Sequence, residues 1–133
     1  MTKFCYDSNK EVAMNAIFSL GLVSAGSNNS RLAGQLRQLA AYYSEETNPL
    51  MIVRIAQGLM HMGKGLMTIN PVYSNNFLVN NVSLAGLLIA IMSFTEVESL
   101  ITGRHQYLIY SLCLAMTPRM VMLVRNIFKK FTN

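Results

Sequence analysis

One six-residue pattern, G-L-x-x-x-G, occurs twice and constrains the fold more strongly than any other feature of the sequence. It occupies residues 21–26 as GLVSAG and residues 58–63 as GLMHMG, an offset of 37 residues. A second pattern, L-A-G-x-L, follows each copy, at residues 32–36 and 84–88. Self-similarity at periods of about 20–50 residues is typical of proteins in which stacked units bury a continuous core. We therefore predict two copies of one helical unit and the first helix of a third.

Helix signals frame both copies of the pattern. Capping-box spacing, in which a Ser or Thr precedes a Glu by three residues, occurs at residues 8–11 and 95–98. The pair Asn48-Pro49 combines a capping residue with one suited to a first helical turn. Apolar spacing predicts helices ending near residue 26 and spanning residues 31–43, 49–62, 82–94 and 106–116, with a long connection at 63–81. The predicted fold class is all-α, an α-α solenoid of helical hairpins.

The repeated glycines are predicted to be structural. The first glycine of each G-L-x-x-x-G lies inside a helix, where it costs about 1 kcal/mol relative to Ala. A repeated cost implies a repeated benefit, most simply the close approach of a neighbouring helix. The last glycine can adopt a positive φ and end the helix. We assign packing or termination roles to six glycines: Gly21, Gly26, Gly34, Gly58, Gly63 and Gly86.

The stretch GLMHMGKG, residues 58–65, resembles the phosphate-binding loop G-x-x-x-x-G-K-[ST]. Gly65 stands where that loop needs a hydroxyl, and Pro71 interrupts any long helix after Lys64. The first copy of the repeat has Ser27 in place of the lysine, so the glycines recur without it. These departures argue against nucleotide binding and favour a helix end.

No pattern indicates a catalytic, cofactor-binding or metal site. The histidines and cysteines are far apart: Cys5, His61, His105 and Cys113. Metal sites need such residues at short spacing, so hydrogen-bonded structural histidines are the expected interpretation. The carboxylate pairs at residues 45–46 and 96–98 fit helix ends and polar turns. We therefore expect no enzymatic activity and no cofactor.

The shortage of charge indicates that something covers part of this chain. Charged residues make up 13% of the sequence, whereas soluble domains average about 25%. The longest apolar run, residues 82–94, is shorter than the roughly 20 residues that span a bilayer. A neighbouring protein is therefore the expected cover, and a membrane is disfavoured. The net charge of +5 is scattered and does not indicate a nucleic-acid partner.

Several longer strings are similar to a known family. NAIFSLGLVSAGSNNSRLAGQLRQLAAYYS, VRIAQGLMHMGKGLMTINP, VSLAGLLIAIMSF and HQYLIYSLCLAM-TPRM closely resemble the last proteasome/cyclosome repeats of the 26S proteasome non-ATPase regulatory subunit 2 family. The resemblance covers residues 7–120, in order. It implies part of an α-helical toroid of two concentric rings, seated on the ATPase ring of the proteasome base. It also implies a non-catalytic scaffold that supports ubiquitin-dependent protein degradation.

The resemblance further implies a domain organisation and a set of partners. Residues 1–117 would hold about two and a half units, at residues 8–43, 48–94 and 104–117, as a fragment of the toroid. The expected partners are the proteasome base subunits and the rest of the toroid. Ubiquitin and ubiquitin-like proteins would dock only through family regions upstream of this segment. With no apolar leader visible at the start, we expect cytoplasmic and nuclear localisation.

Residues 118–133 depart from the family and form a basic amphipathic tail. Apolar residues recur at helical spacing: Met120, Leu123, Val124, Ile127, Phe128 and Phe131. The opposite side carries Arg125, Lys129 and Lys130. One interpretation is a helix that caps the exposed end of the solenoid. The alternative is a small protein that uses this helix on a membrane surface or in a partner's groove, through Arg125, Phe128, Lys129 and Lys130.

Overall fold

The computed structural model describes residues 3–73 and 77–119, and within them helices form almost all of the regular structure. The α-helices are α1 (Lys10–Val23), α2 (Ser30–Tyr42), α3 (Thr47–Met60) and α4 (Asn81–Ser93). Tighter 3₁₀ helices occupy Phe4–Tyr6, Met62–Gly65 and Gln106–Ala115, and a π helix occupies Val97–Arg104. Two short strands complete the order: β1 (Met67–Ile69) and β2 (Met116–Pro118). The predicted all-α class is confirmed, and the predicted α-helices begin and end within three residues of those observed.

Asparagine caps three of the α-helices. The side chain of Asn9 accepts from the backbone N–H of Glu11 at 3.1 Å. Asn29 and Asn80 accept in the same way at the starts of α2 and α4. An Asn side-chain oxygen satisfies a backbone donor that has no partner within its own helix, so these residues fix where the helices begin.

The predicted caps at other residues are wrong. Ser8 does not cap α1, because its hydroxyl donates to Asp7 while Asn9 occupies the capping position. Asn48 lies inside α3, which begins one residue earlier and has no side-chain cap. The Thr95 hydroxyl donates back to the carbonyl of Met92, so it does not begin the π helix. The Ser8 and Thr95 hydroxyls thus donate to other acceptors, and α3 begins before Asn48.

The region after α3 holds a structure that the sequence did not indicate. Residues 63–81 were predicted to be a connection, yet β1 lies within them and pairs antiparallel with β2. Met67 lies opposite Pro118 and Ile69 opposite Met116. The last predicted helix is also tighter than expected, since residues 106–115 are 3₁₀ rather than α-helical.

Helices α1 and α3 stack side by side and run in the same direction. At their first turns Lys10 Nζ lies 3.0 Å from Glu46 Oε2. At their other ends the backbone N–H of Gly26, just after α1, donates to the carbonyl of Leu59, in the last turn of α3, at 2.9 Å. Their interface forms the centre of the core, with Ile17, Ile52, Val53 and Ala56 fully buried. Equivalent helices of two successive units therefore lie against each other, as a helical repeat requires.

Helix α4 forms a second hairpin with the long 3₁₀ helix, Gln106–Ala115. The Ser83 hydroxyl donates to the carbonyl of Leu114 at 2.8 Å, near the start of one element and the end of the other. The two elements therefore run antiparallel. Within residues 3–73 and 77–119, no single helix is both long and apolar enough to cross a bilayer. Only α4 taken together with the π helix passes on length and composition, and these two are bent by 107°.

Candidate interaction surface

The turns that follow α1 and α3 are bonded to each other. Gly26, with φ of +65°, follows the first helix of the first unit and donates to the carbonyl of Leu59. Asn28 follows at φ of +50°, and its backbone N–H donates to the carbonyl of Met60 at 3.3 Å. Its side-chain oxygen lies 2.8 Å from Nδ1 of His61. The turn that ends the first G-L-x-x-x-G segment is therefore hydrogen-bonded to residues 59–61, in the middle of the second segment.

Two of the repeat glycines lie at close helix contacts. A Cβ added to Gly21 would lie 2.8 Å from both Cα and Cβ of Ala56, on the facing helix α3. A Cβ on Gly86 would lie 2.5 Å from the carbonyl oxygen of Ser111 and 2.9 Å from Cβ of Leu114. The Ser111 hydroxyl in turn donates to the carbonyl of Gly86 at 2.9 Å. At these two positions only glycine allows the observed approach.

For Gly34 and Gly58 the same interpretation stays a prediction, because no neighbouring helix of the described residues approaches them. A Cβ on either would have no atom within 4 Å, apart from the backbone of its own helix and its chain neighbours. The two glycines occupy the same repeat positions as Gly86 and Gly21. Equal sequence position therefore does not bring an equal neighbour, because each glycine faces a different element. Gly34 and Gly58 thus have open space beside their Cα atoms within the described chain.

The segment GLMHMGKG forms a helix end followed by a strand. Gly63, Lys64 and Gly65 have φ values of +57°, +55° and +88°, and β1 begins at Met67. A Cβ on Gly63 would collide with the side chain of Met67. A phosphate-binding loop instead precedes a helix, whose first N–H groups help to hold the phosphate. The two glycines of this segment that lie outside α3, Gly63 and Gly65, thus serve chain reversal.

The titratable groups of the described chain are spread over separate elements. His105 lies 3.3 Å from the hydroxyl of Tyr107, far along the chain from the His61–Asn28 pair. Among the described residues, no three His, Cys, Asp or Glu side chains form a group that could hold a metal ion. Of the carboxylate pairs, Glu46 is bonded to Lys10 and Glu96 accepts from the Ser99 hydroxyl at 2.9 Å. These contacts are those of helix ends.

Among the described residues, one side of α4 is exposed and apolar, and we call it the α4 face. It consists of four large side chains at i, i+4, i+7 and i+8: Leu84, Leu88, Ile91 and Met92. They are 38%, 52%, 45% and 63% exposed. The residues that α4 buries are small: Ser83, Gly86, Ala90 and Ser93. The helix thus packs inward through its small residues and presents large apolar ones outward, with no charged residue in its length.

Monomeric proteins seldom expose apolar side chains in such a contiguous set, and those that do commonly use it for binding. The sequence had indicated this helix through its apolar run, but not which side would be exposed. The predicted interaction tail, with Arg125, Phe128, Lys129 and Lys130, lies outside the described residues. The sequence patterns described above did not predict the α4 face as a site. The signal for it is the row of small residues on the buried side of the helix, at Ser83, Gly86, Ala90 and Ser93.

The chain is similar to known proteins over nearly its whole length. The family model "Proteasome/cyclosome repeat" matches residues 15–47. The Arabidopsis thaliana 26S proteasome non-ATPase regulatory subunit 2 homolog A is 46% identical over 124 residues, covering 93% of this chain and 14% of that protein. The Neurospora crassa 26S proteasome regulatory subunit rpn-1 is 42% identical over 132 residues, 99% of this chain and 15% of that protein. The Dictyostelium discoideum 26S proteasome non-ATPase regulatory subunit 2 is 43% identical, with 92% and 14% covered. The chain thus spans about one seventh of the length of these relatives.

Proposed function

This chain carries a proteasome/cyclosome repeat, and over most of its length it is a relative of 26S proteasome non-ATPase regulatory subunit 2. From this relationship we propose that it is a scaffold segment of the proteasome regulatory particle. In this role it holds other subunits in place and carries out no catalysis. Its contribution to ubiquitin-dependent degradation is indirect, through the assembly of the regulatory particle base.

The observation that carries the proposal is the stacking of two repeat units in a chain so similar to these subunits. Gly21 lies against Ala56, and the Gly26 N–H donates to the carbonyl of Leu59, so one unit continues directly into the next. A solenoid unit is stable only between neighbours, and its outer faces serve as binding surfaces. The open helix faces at Gly34 and Gly58 and the α4 face fit further helices of the same toroid.

The proposed partners follow from this placement. They are the base subunits of the regulatory particle, including the ATPase ring, and the rest of the toroid. Ubiquitin and ubiquitin-like proteins would be bound by parts of the family that this segment does not contain. Residues 1–117 supply the repeats, residues 118–133 supply a separate tail, and the protein acts in the cytoplasm and nucleus.

Affinity purification of the tagged chain from cultured cells tests this function. We expect regulatory particle subunits to co-purify with it, and Gly21→Leu to reduce their recovery at least tenfold. The leucine cannot fit, because even a Cβ at this position would lie 2.8 Å from Ala56, and overpacked helix contacts must move apart. Recovery is measured by quantitative mass spectrometry against a tag-only control.

Val23→Ala is the matched control, since Val23 lies on the same helix and is 77% exposed. It should leave recovery unchanged. The proposal is contradicted if the unaltered chain recovers regulatory particle subunits no better than the tag alone. It is also contradicted if Gly21→Leu and Val23→Ala are recovered with the same subunits in equal amounts.

A further inference from the structure

A basic cleft lies between α2 and α3, and we call it the α2–α3 cleft. Its volume is about 240 Å³, smaller than the roughly 300–1,000 Å³ of pockets that hold small molecules. It therefore has room for the ends of one or two side chains rather than for a whole nucleotide. Six residues line it: Ala33, Arg37, Arg54, Gln57, Met60 and His61.

The cationic side chains of the cleft have no anionic partner in the described part of the chain. Neither α2 nor α3 contains an Asp or Glu residue. The single ion pair among the described residues joins Lys10 to Glu46, which precedes the first turn of α3 and lies outside the cleft. Arg37 and Arg54 thus line the cleft with unpaired charges. A cleft lined by one sign of charge attracts groups of the opposite sign.

Gln57 connects the two helices and orients one of the arginines. Its Nε2 donates to the carbonyl of Leu36, on α2, at 3.2 Å. Its Oε1 accepts from Nη1 of Arg54, one turn earlier on α3, at 3.0 Å. A guanidinium has five N–H donors, so this bond leaves most of them for a ligand. The guanidinium is also held in place in advance, which reduces the entropy lost when a ligand binds.

Gly58 and His61 lie on the same side of α3 as Arg54, because positions i, i+4 and i+7 share a helix face. Nδ1 of His61 lies 2.8 Å from Oδ1 of Asn28, which holds the imidazole at one end of the cleft. A Cβ on Gly58 would have no atom within 4 Å, apart from its own helix and chain neighbours. Glycine permits another backbone to approach closely. The main chain of a partner thus has room beside the cleft.

We propose that the α2–α3 cleft binds the carboxylate side chains of an acidic segment of a partner protein. A guanidinium can donate two parallel N–H···O bonds to one carboxylate, and Arg37 and Arg54 supply two guanidinium groups from neighbouring helices. Phosphate sites commonly use backbone N–H groups at a helix N-terminus, whereas the donors of this cleft are side chains. The inference goes beyond the scaffold function, because it assigns a partner chemistry to one surface, and it is tested on the isolated chain.

Fluorescence anisotropy of a fluorescein-labelled hexaglutamate peptide tests the proposal on the full chain. We expect saturable binding at about 50 mM salt, where screening is modest, and no binding of the matching hexaglutamine peptide. Arg37→Gln with Arg54→Gln should weaken binding at least tenfold, because both guanidinium groups that can pair with a carboxylate are lost. Both side chains are exposed, so this double variant should keep its fold, which circular dichroism checks.

Two further variants separate the cleft from general charge attraction. Arg31→Gln with Arg104→Gln removes the same charge from exposed positions outside the cleft. It should weaken binding less than about twofold, since exposed charges at a distance are screened. Gly58→Leu changes no charge and should weaken binding about fivefold, because its side chain would occupy the path of the partner's main chain. The fold should tolerate this leucine, since its Cβ meets no atom within 4 Å.

Four results would overturn the proposal. The first is no saturable binding of hexaglutamate by the folded chain. The second is an equal loss in the two arginine double variants, which would mean attraction by the net charge of +5 alone. The third is a loss that occurs only in Lys129→Gln with Lys130→Gln, which would assign the peptide to the tail. The fourth is displacement of the peptide by inorganic phosphate at about one tenth of the effective glutarate concentration, which would make the cleft a phosphate site.

Discussion

At the scale of single residues, Tyr43 joins the start of the chain to the end of α2. Its side chain is 6% exposed, and its hydroxyl donates to the carbonyl of Cys5 at 2.8 Å. Burial raises the pKa of Tyr43 above its ordinary value, and the nearby Tyr42, Glu46, Cys5 and Tyr6 raise it further. Burial likewise raises the pKa of the Cys5 thiol, against a small opposing effect of the N-terminal charge. The folded state therefore holds both groups in their protonated forms.

These raised pKa values predict a loss of stability in alkali. The unfolded chain ionises Cys5 near 9.0 and Tyr43 near 10.0, before the folded chain does. Their contribution is complete below those values and is lost as pH rises through the higher folded pKa values. Melting temperatures should therefore fall as the pH rises above about 9. Tyr43→Phe should cost about 1 kcal/mol at pH 7, from the lost hydrogen bond, and should reduce the alkaline slope.

Tyr110→Phe is the control for this experiment, because Tyr110 is 75% exposed. It should change neither the stability at neutral pH nor the slope. An alkaline slope that is unchanged in a Tyr43→Phe, Cys5→Ala double variant would show that other groups cause the loss.

At the scale of elements, the hairpin of α4 with the long 3₁₀ helix depends on small residues. Ser83 and Ser111 each donate across it, to the carbonyls of Leu114 and Gly86. Gly86 permits the approach, and a Cβ there would lie 2.5 Å from the carbonyl oxygen of Ser111. Gly34 holds the same repeat position in α2 but has open space beside it. Two glycines at the same position of the L-A-G-x-L pattern thus have different energetic roles.

Alanine at these two positions should have effects of opposite sign. Gly86→Ala should destabilise the chain by about 1–3 kcal/mol, because the facing backbone must move. Gly34→Ala should stabilise it by up to about 1 kcal/mol, since alanine is the better helix former and meets no obstacle. Urea unfolding followed by circular dichroism measures both. Destabilisation of similar size at Gly34 would mean that a neighbour approaches this face in solution.

At the scale of the whole molecule, one aromatic contact joins the two halves. The rings of Phe18 on α1 and Phe94 after α4 stack with centroids 3.5 Å apart and planes 6° from parallel. Val97 and Ile101 of the π helix are buried in the same core. The stacked pair α1–α3 and the α4 hairpin thus share this core cluster.

Removal of this contact should loosen the second half while the first stays folded. Phe94→Ala should cost about 3–5 kcal/mol, the usual range for a buried phenylalanine. Because the loss falls at the joint, amide hydrogen exchange should accelerate in α4 and the long 3₁₀ helix more than in α1 and α3. Tyr107→Ala, at a position that is 60% exposed, is the control. Equal acceleration in all four helices would show that the chain unfolds as one unit.

The sequence by itself determined the positions and the ends of the helices, because both depend on interactions between residues that are close in the chain. The spacing of apolar residues gave the positions of α1 to α4, because a helix depends on side chains within a few turns of one another. The repeat predicts that Gly26 and Gly63 end the first helix of each unit, and both have positive φ. The capping-box spacing indicates Ser8 for α1, whereas the observed caps Asn9, Asn29 and Asn80 have no Glu or Gln three residues later.

Only the tertiary structure decided which surfaces meet. The pairing of Thr68 with Thr117 joins residues that lie far apart in sequence, and no local pattern specifies such a partner. The same holds for the glycines, since Gly21 has a close neighbour and Gly58 has none. The α4 face is exposed because the small residues opposite it allow the tighter contact. Sequence thus determined the helices and their ends through local interactions, whereas long-range packing decided which of their faces remain open for binding.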